Sequence, residues 1–194
     1  MSKSMAKCTV CQSNVPDYDG VFLTIEGRSR FHCNRCYNRK LAEMAQLQFD
    51  HPDFQPVTLK DSDGKPHQFQ FITRLLPHGI SIQALEIQKG GPQGYQFHVV
   101  GPLDGDVLAI FGQLFERIRN SLAQKHIEKT SYGLSITDND VVRGRIEWDD
   151  DTDGKIPLLI IDGKPIKWEQ LGRMLMTYEG FNFKLEIFDS SESR

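Results

Sequence analysis

The chain has 194 residues, of which 39% are hydrophobic and 25% charged, and its formal net charge is −3. This composition is typical of a folded globular protein, and the length allows one ordinary domain and a smaller one. Because phosphate binding depends on clustered lysine and arginine, an acidic chain is not expected to package DNA. No apolar run approaches the ~20 residues of a membrane span, and the start has no secretory signal pattern. We therefore expect a cytoplasmic protein without membrane contact.

All four cysteines lie in the first fifth of the chain, as the pairs Cys8-x2-Cys11 and Cys33-x2-Cys36. Two such pairs, separated by a hairpin-length segment, present four thiolates to a tetrahedral zinc ion. In a reducing compartment this spacing favours a metal over disulfides. We predict one structural Zn²⁺ per chain, held by these four cysteines.

The residues around the two pairs predict a compact zinc module. The first pair forms a tight turn, 21–25 and 28–32 form a hairpin around Glu26-Gly27, and the second pair opens a helix that ends near Gln48. This order is that of a treble-clef zinc finger, and residues 8–48 resemble that family. The resemblance implies no single function, because members bind nucleic acids, bind proteins or only hold a domain together.

Other roles for the cysteines stay open. Cys33 and Cys36 match the position of a redox-active pair at a helix start, although a second pair makes metal the simpler explanation. An iron–sulfur cluster also takes four cysteines, but ferredoxin-like spacing is more compact. His32 is an alternative ligand. A catalytic zinc would need an open coordination position, which four cysteines close.

A short basic cluster with interleaved aromatic residues surrounds the hairpin and the start of the helix. Such a composition suits a nucleic-acid backbone and base stacking. Basic residues outnumber acidic residues only modestly in this segment, so a solvated surface without a ligand is the competing interpretation. The candidate nucleic-acid contacts are Arg28, Arg30, Arg35, Arg39 and Lys40.

Prolines between Phe49 and Pro56 predict the end of this module. Alternating β-rich stretches then predict an antiparallel meander, with strands at 56–60, 67–76, 80–88 and 95–100 and turns at 61–64, 77–79 and 90–94. An amphipathic helix is predicted from Asp106 to about Glu128, capped by Asp104 or Asp106.

The last third of the chain again predicts strands, at 133–137, 141–148 and 158–161. A short helix is predicted over Lys167–Tyr178, and the alternation in Phe181–Phe188 predicts a final strand with one apolar side. Residues 168–181 resemble small bacterial domains that are uncharacterised, which implies no activity.

The acidic segment Asp149–Gly154 has the D-x-D-x-D-G spacing that begins an EF-hand calcium loop. The twelfth position of such a loop falls on Ile160, where a bidentate glutamate is needed. The flanking segments are predicted strands. An exposed hairpin loop is therefore the favoured interpretation, with calcium as the alternative.

The six histidines are scattered, and no catalytic or phosphate-binding motif is present. The sequence thus predicts an α+β protein with a small N-terminal zinc-finger module and a mostly antiparallel sheet covered by one long and one short helix. We expect the module at 1–49, an α+β domain at 50–189 and a loose tail at 190–194. The leading hypothesis is a non-enzymatic adaptor or regulator that binds another protein. The alternatives are a nucleic-acid-binding protein that uses the basic cluster, and an enzyme whose site lies in the second domain.

Overall fold

The computed structural model describes residues 4–25, 27–89 and 91–192. Parts of four predictions lie outside these residues: residues 1–3 of the N-terminal module, Glu26 of the first hairpin turn, Gly90 of the 90–94 turn, and the last two residues of the tail. The described tail residue Ser191 accepts a hydrogen bond from Arg117 through its carbonyl oxygen, at 3.0 Å.

The N-terminal part contains two antiparallel hairpins and one helix. Strand β1 (Met5–Lys7) pairs with β2 (Asn14–Pro16), β3 (Gly20–Ile25) pairs with β4 (Arg28–Cys33), and helix α1 follows (Asn34–Ala45). The helix stops short of Gln48 because Gln46 is left-handed, with φ of 55°, and its N–H bonds back to the carbonyl groups of Ala42 and Glu43.

The predicted meander is confirmed. Its antiparallel strands pair in chain order, as β5 (Val57–Lys60), β6 (Pro66–Leu76), β7 (Gly79–Gln88) and β8 (Gly91–Gly101). Helix α2 (Val107–Leu122) lies against this sheet, and the Asp106 carboxylate caps it by accepting a 2.9 Å hydrogen bond from the Leu108 N–H.

The meander and α2 share one apolar core, which α1 joins through Ala42. The strands contribute apolar residues with a period of 2 to this core, and α2 contributes apolar residues with a period of 3.6, as the sequence indicates. The principal buried members are Phe69, Phe71, Leu75, Ile80, Ile82, Val99, Ile110, Leu114, Ile118 and Leu122.

The predicted extension of α2 to Glu128 is wrong. The apolar stripe ends at Leu122, and the backbone N–H groups of His126 and Ile127 both donate to the Asp162 carboxylate, at 2.9 Å. Ile127 then begins a strand and enters a different core. A contact with a residue 35 positions away thus ends the helix.

The C-terminal part has its own small core. Strand β9 (Ile127–Thr130) pairs with β10 (Gly133–Ile136), and β11 (Gly144–Glu147), β12 (Leu158–Ile161) and β13 (Lys164–Lys167) form a three-stranded antiparallel sheet followed by helix α3 (Trp168–Leu175). Its buried members are Ile127, Ile136, Ile161, Ile166 and Met174. The sequence reasoning missed β13, an edge strand that tolerates Pro165 because it pairs on one side only.

The predicted strand at Phe181–Phe188 is also wrong. The segment has no regular secondary structure, and its apolar side chains are exposed. Among the described residues, none forms a backbone hydrogen bond with 182–188. Alternation predicts which side chains share a face, but a strand exists only when a neighbouring strand pairs with it.

The predicted α+β class is confirmed, with antiparallel sheets and three α-helices in the described ranges. None of these helices combines the length and the apolar character needed to cross a bilayer. The division at residue 49 and the loose tail stay predictions.

Candidate metal centre

The first cysteine pair lies in the turn that links β1 to β2. The Cys8 N–H donates to the carbonyl of Ser13 and the Gln12 N–H donates to that of Cys8, at 2.9 and 3.0 Å. Gln12 closes the turn with a left-handed φ of 63°. This loop brings Cys8, which is buried, and Cys11, which is exposed, to the same point.

The second pair lies where β4 becomes α1, as the spacing predicts. Cys33 is the N-cap residue of α1 and Cys36 lies in its first turn. The Cys33 N–H donates to the sulfur of Cys8, at 3.4 Å, and Arg39 places its guanidinium 3.9 Å from the sulfur of Cys36. The helix N-terminus and these donors favour thiolate charge at the site.

The four sulfur atoms form a cluster compatible with a metal ion. They lie within 4.8 Å of one another, and the Cys11 and Cys33 sulfurs are 3.7 Å apart. Four thiolates about 2.3 Å from a tetrahedral Zn²⁺ lie about 3.8 Å apart. All four cysteines are free rather than bonded as disulfides. The donor set and spacing therefore fit zinc.

The thiols differ in their readiness to ionise. The hydroxyl and backbone N–H of Ser13 lower the pKa of Cys11 to about 6, whereas burial and the neighbouring thiols raise the pKa of Cys36 to about 12. Buried thiolates repel one another, so full deprotonation of the cluster requires a cation. A metal bound by these thiols would displace their protons, so its binding would weaken as the pH falls.

The basic cluster is divided by the fold. Arg28 and Arg30 are exposed on β4, and Arg35 pairs with Asp53, at 3.4 Å. Arg39 and Lys40 line a shallow cleft beside the metal site, together with Val10, His32, Cys36 and Glu43. Nucleic-acid contact by these five basic residues stays a prediction.

Among the described residues, no hydrogen bond joins His32 to the cysteine cluster, which does not include it. Its ring is buried and its Nδ1 has no hydrogen-bond partner among the described residues. Burial, with the charges of Lys40 and Arg30, lowers the pKa of this imidazole. It is the last residue but one of β4 and lines the cleft together with Arg39 and Lys40.

Helix α1 is fixed to the meander by polar contacts that the sequence does not reveal. Asn38 is fully buried, and its amide donates to the Thr73 carbonyl and to the His51 ring while its oxygen accepts from the Leu75 N–H, each at 2.8 Å. Strand β5 pairs with β6 only as far as Phe69. Asn38 therefore supplies hydrogen-bond partners to backbone groups of β6 beyond the end of its pairing with β5.

A second pair of contacts fixes the same helix. The buried Asn34 amide donates to Asp19, at 2.8 Å, and its oxygen accepts from Arg74 Nε, at 3.0 Å. The Arg74 guanidinium also donates to the carbonyl groups of Tyr18 and Gly20, both at 3.2 Å. The cysteine cluster is thus held against the meander through β6.

The acidic loop at 149–154 binds the positively charged side chain of Lys167, which lies at the end of β13. The ammonium of Lys167 lies 2.8 and 2.9 Å from the two carboxylate oxygens of Asp149 and 2.7 Å from Asp151. This contact lowers the pKa of Asp149 and raises that of Lys167. A lysine thus binds the first carboxylates of the EF-hand-like pattern, which favours the hairpin-loop interpretation over calcium.

The structure brings one histidine against two carboxylates, which sequence reasoning missed. His67 Nδ1 lies 2.7 Å from Glu86 and Nε2 lies 3.2 Å from Asp61, and the ring is buried. Glu86 also accepts from the Tyr95 N–H, at 2.9 Å. Both ring nitrogens are occupied, so the ring cross-links β6, β7 and the turn before β6. One feature of the sequence could have indicated this buried cluster: His67 lies on the apolar face of a predicted strand, two residues before Phe69.

We expect Asp61→Asn to remove stability at neutral pH but not in acid. Burial alone would raise the pKa of Asp61, but hydrogen bonds from the Lys65 N–H and His67, with the charge of Lys125, hold it below its usual value. A lowered carboxyl pKa stabilises the fold above about pH 4, and this contribution is lost as the pH falls through the folded-state value. Urea unfolding at neutral and acidic pH checks this, with the exposed Asp104→Asn as the control. An equal deficit at both pH values would contradict it.

Family models for three domains of unknown function match successive parts of the chain: DUF7685 at residues 7–48, DUF7686 at 50–123 and DUF7713 at 126–192. The first range contains the four cysteines, the second the meander and α2, and the third the C-terminal core. No zinc-finger family is identified among these matches. Searches of curated proteins and of solved structures gave no match. Over most of its length, the chain is therefore similar to three domains of unknown function.

Proposed function

We propose that this protein binds one structural zinc ion in a treble-clef-like module and acts, without catalysis, as an adaptor or regulator that binds another protein. The proposed ligands are Cys8, Cys11, Cys33 and Cys36. Four thiolates fill a tetrahedral shell and leave no position for a substrate, which supports a structural rather than a catalytic ion.

The observation that carries the adaptor role is an apolar surface in the C-terminal part. Among the described residues, one large hydrophobic side chain, Leu108, is exposed in 50–123, whereas twelve are exposed in 126–192. Exposed apolar side chains concentrated in one part of a protein are typical of interaction sites. We call five of them the tryptophan surface: Ile146, Trp148, Trp168, Leu175 and Met176.

The strand register places the two tryptophans at one end of a sheet. Glu147 of β11 and Lys167 of β13 both lie opposite Leu158 of β12. Glu147 and Lys167 therefore lie two strand spacings apart, roughly 10 Å, and Trp148 and Trp168 follow them directly in the chain. They are 63% and 49% exposed. Exposed tryptophans are the residues that most often dominate binding energy at protein interfaces.

Site-specific photo-crosslinking tests this proposal. A benzophenone amino acid at Leu175, which shares a helix face with Trp168, is expected to give one reproducible adduct with a different protein in cells that express the chain. Trp168→Ser should abolish this adduct, because it removes the largest apolar contact on that face.

The control places the same probe at Tyr132, which is fully exposed in the β9–β10 turn and lies outside the tryptophan surface. This position is expected to give no adduct with that protein. If no reproducible protein adduct forms at Leu175, or if Trp168→Ser leaves it unchanged, the proposed interaction is wrong.

A further inference from the structure

Residues 181–188 form a segment with the side-chain pattern of a strand but without a pairing strand. Phe181, Phe183, Leu185 and Ile187 are 73–88% exposed. Within the described ranges, the backbone of 182–188 has no backbone partner. Unpaired N–H and C=O groups beside alternating apolar side chains make a template for pairing with another strand.

One side-chain contact is consistent with an extended segment. Lys184 Nζ lies 2.6 Å from a carboxylate oxygen of Glu186, so these two side chains point to the same side. In an extended chain, residues two apart share a face and their neighbours occupy the other. The apolar residues at 183, 185 and 187 therefore share the opposite face.

Both ends of the segment are held by the fold. The Phe181 N–H donates to the Tyr178 carbonyl, at 2.9 Å, and the two rings are in edge contact. At the other end, Arg117 donates to the carbonyl groups of Ser191 and His98, at 3.0 and 2.7 Å. The fold thus presents the segment to solvent between two anchored ends.

We propose that two copies of this chain pair through residues 182–188 as antiparallel strands, with Leu185 facing Leu185 of the second copy. This register places Lys184 opposite Glu186 of the second copy, and the symmetry repeats the contact. It also places Phe183 opposite Ile187. Within the paired residues 182–188, the face that carries Leu185 is then apolar in both copies.

The charges of the segment favour this register, and they favour a second copy of the chain as the pairing strand. Opposite charges that face each other across a strand pair are favourable, and like charges are unfavourable. Antiparallel pairing centred on residue 184 would oppose two lysines, centring it on Glu186 would oppose two glutamates, and parallel in-register pairing would do both. The segment shares no residue with the tryptophan surface, so this pairing goes beyond the heterologous interaction proposed above.

A charge exchange in the full chain, followed by sedimentation equilibrium at low salt, tests the pairing. Two short strands make a small contact, so the wild-type dimer is expected to dissociate with a Kd on the order of micromolar. K184E places a carboxylate opposite Glu186 at both symmetric contacts, and E186K places an ammonium opposite Lys184. Each single variant is expected to raise Kd by about tenfold or more.

The equimolar mixture of the two variants distinguishes pairing from misfolding. One chain then carries two carboxylates and the other two ammonium groups, so a heterodimer should form with a Kd close to that of the wild type. The matched control K129E makes the same charge change at an exposed residue of β9, outside the segment, and should leave the wild-type Kd unchanged.

Three outcomes overturn the proposal: a wild-type chain that stays monomeric, a dimer insensitive to both variants, or a loss that mixing does not reverse. A monomeric wild type that still gives the Leu175 adduct would overturn the pairing and leave the adaptor role intact. A dimer without that adduct would do the reverse.

Discussion

Purified protein is expected to contain one zinc ion per chain, and Cys33→Ser is expected to lose it together with the structure of the N-terminal module. Apparent binding free energies of structural zinc in small modules are about 10–16 kcal/mol at neutral pH. The two hairpins and α1 of this module surround a core made mainly of the cysteines themselves. Without the ion, little apolar burial remains to offset the conformational entropy of ordering the module.

Elemental mass spectrometry measures the metal, and hydrogen exchange at the amides of α1 measures the fold. Chelation of the wild type should have the same effect as Cys33→Ser, and binding should weaken as the pH falls because protons compete for the thiolates. The control Ser29→Ala, at an exposed position of β4, should keep both zinc and structure. Protein without metal, whose thiols cycle between reduced and oxidised forms, would contradict the site and support a redox pair.

Asn38→Ala is expected to cost about 3 kcal/mol or more of unfolding free energy, although Asn38 lies two residues from a proposed metal ligand and does not contact it through a hydrogen bond. The substitution leaves the buried Leu75 N–H and Thr73 carbonyl without their partner, and each unsatisfied buried group costs about 1–3 kcal/mol. The His51 ring also loses its donor.

Urea unfolding measures the loss of unfolding free energy. Faster hydrogen exchange at the Leu75 amide would locate this loss at the part of β6 that β5 does not pair with. Asn120→Ala, an exposed change on α2, should alter stability by less than about 0.5 kcal/mol. A loss below about 1 kcal/mol for Asn38→Ala, with unchanged exchange at Leu75, would show that α1 does not depend on this contact to dock against the meander.

Local signals in the sequence determined much of the module and the meander. Two Cys-x2-Cys pairs specify four thiol donors by chemistry alone, and a short turn makes neighbours of the two cysteines in each pair. The meander follows because its strands are joined by short turns, so consecutive strands pair. The cap at Asp106 and the apolar stripe of α2 are likewise local, since they depend on spacing of two to four residues.

The tertiary structure decided what depends on residues far apart in the chain. Asp162 ends α2 by binding the N–H groups of His126 and Ile127, and Lys167 binds the acidic loop that resembles a calcium site. Asn38 meets β6 across 35 residues or more. Such contacts exist only after the elements have packed, so no local pattern encodes them.

The segment at 181–188 shows the same division most clearly. Its alternation determined that Phe183, Leu185 and Ile187 share a face, which the contact between Lys184 and Glu186 supports. Whether that face is covered depends on a partner strand, and none pairs with it within the described part of the chain. Side-chain periodicity is a property of the sequence, whereas strand pairing is a property of two segments brought together in space.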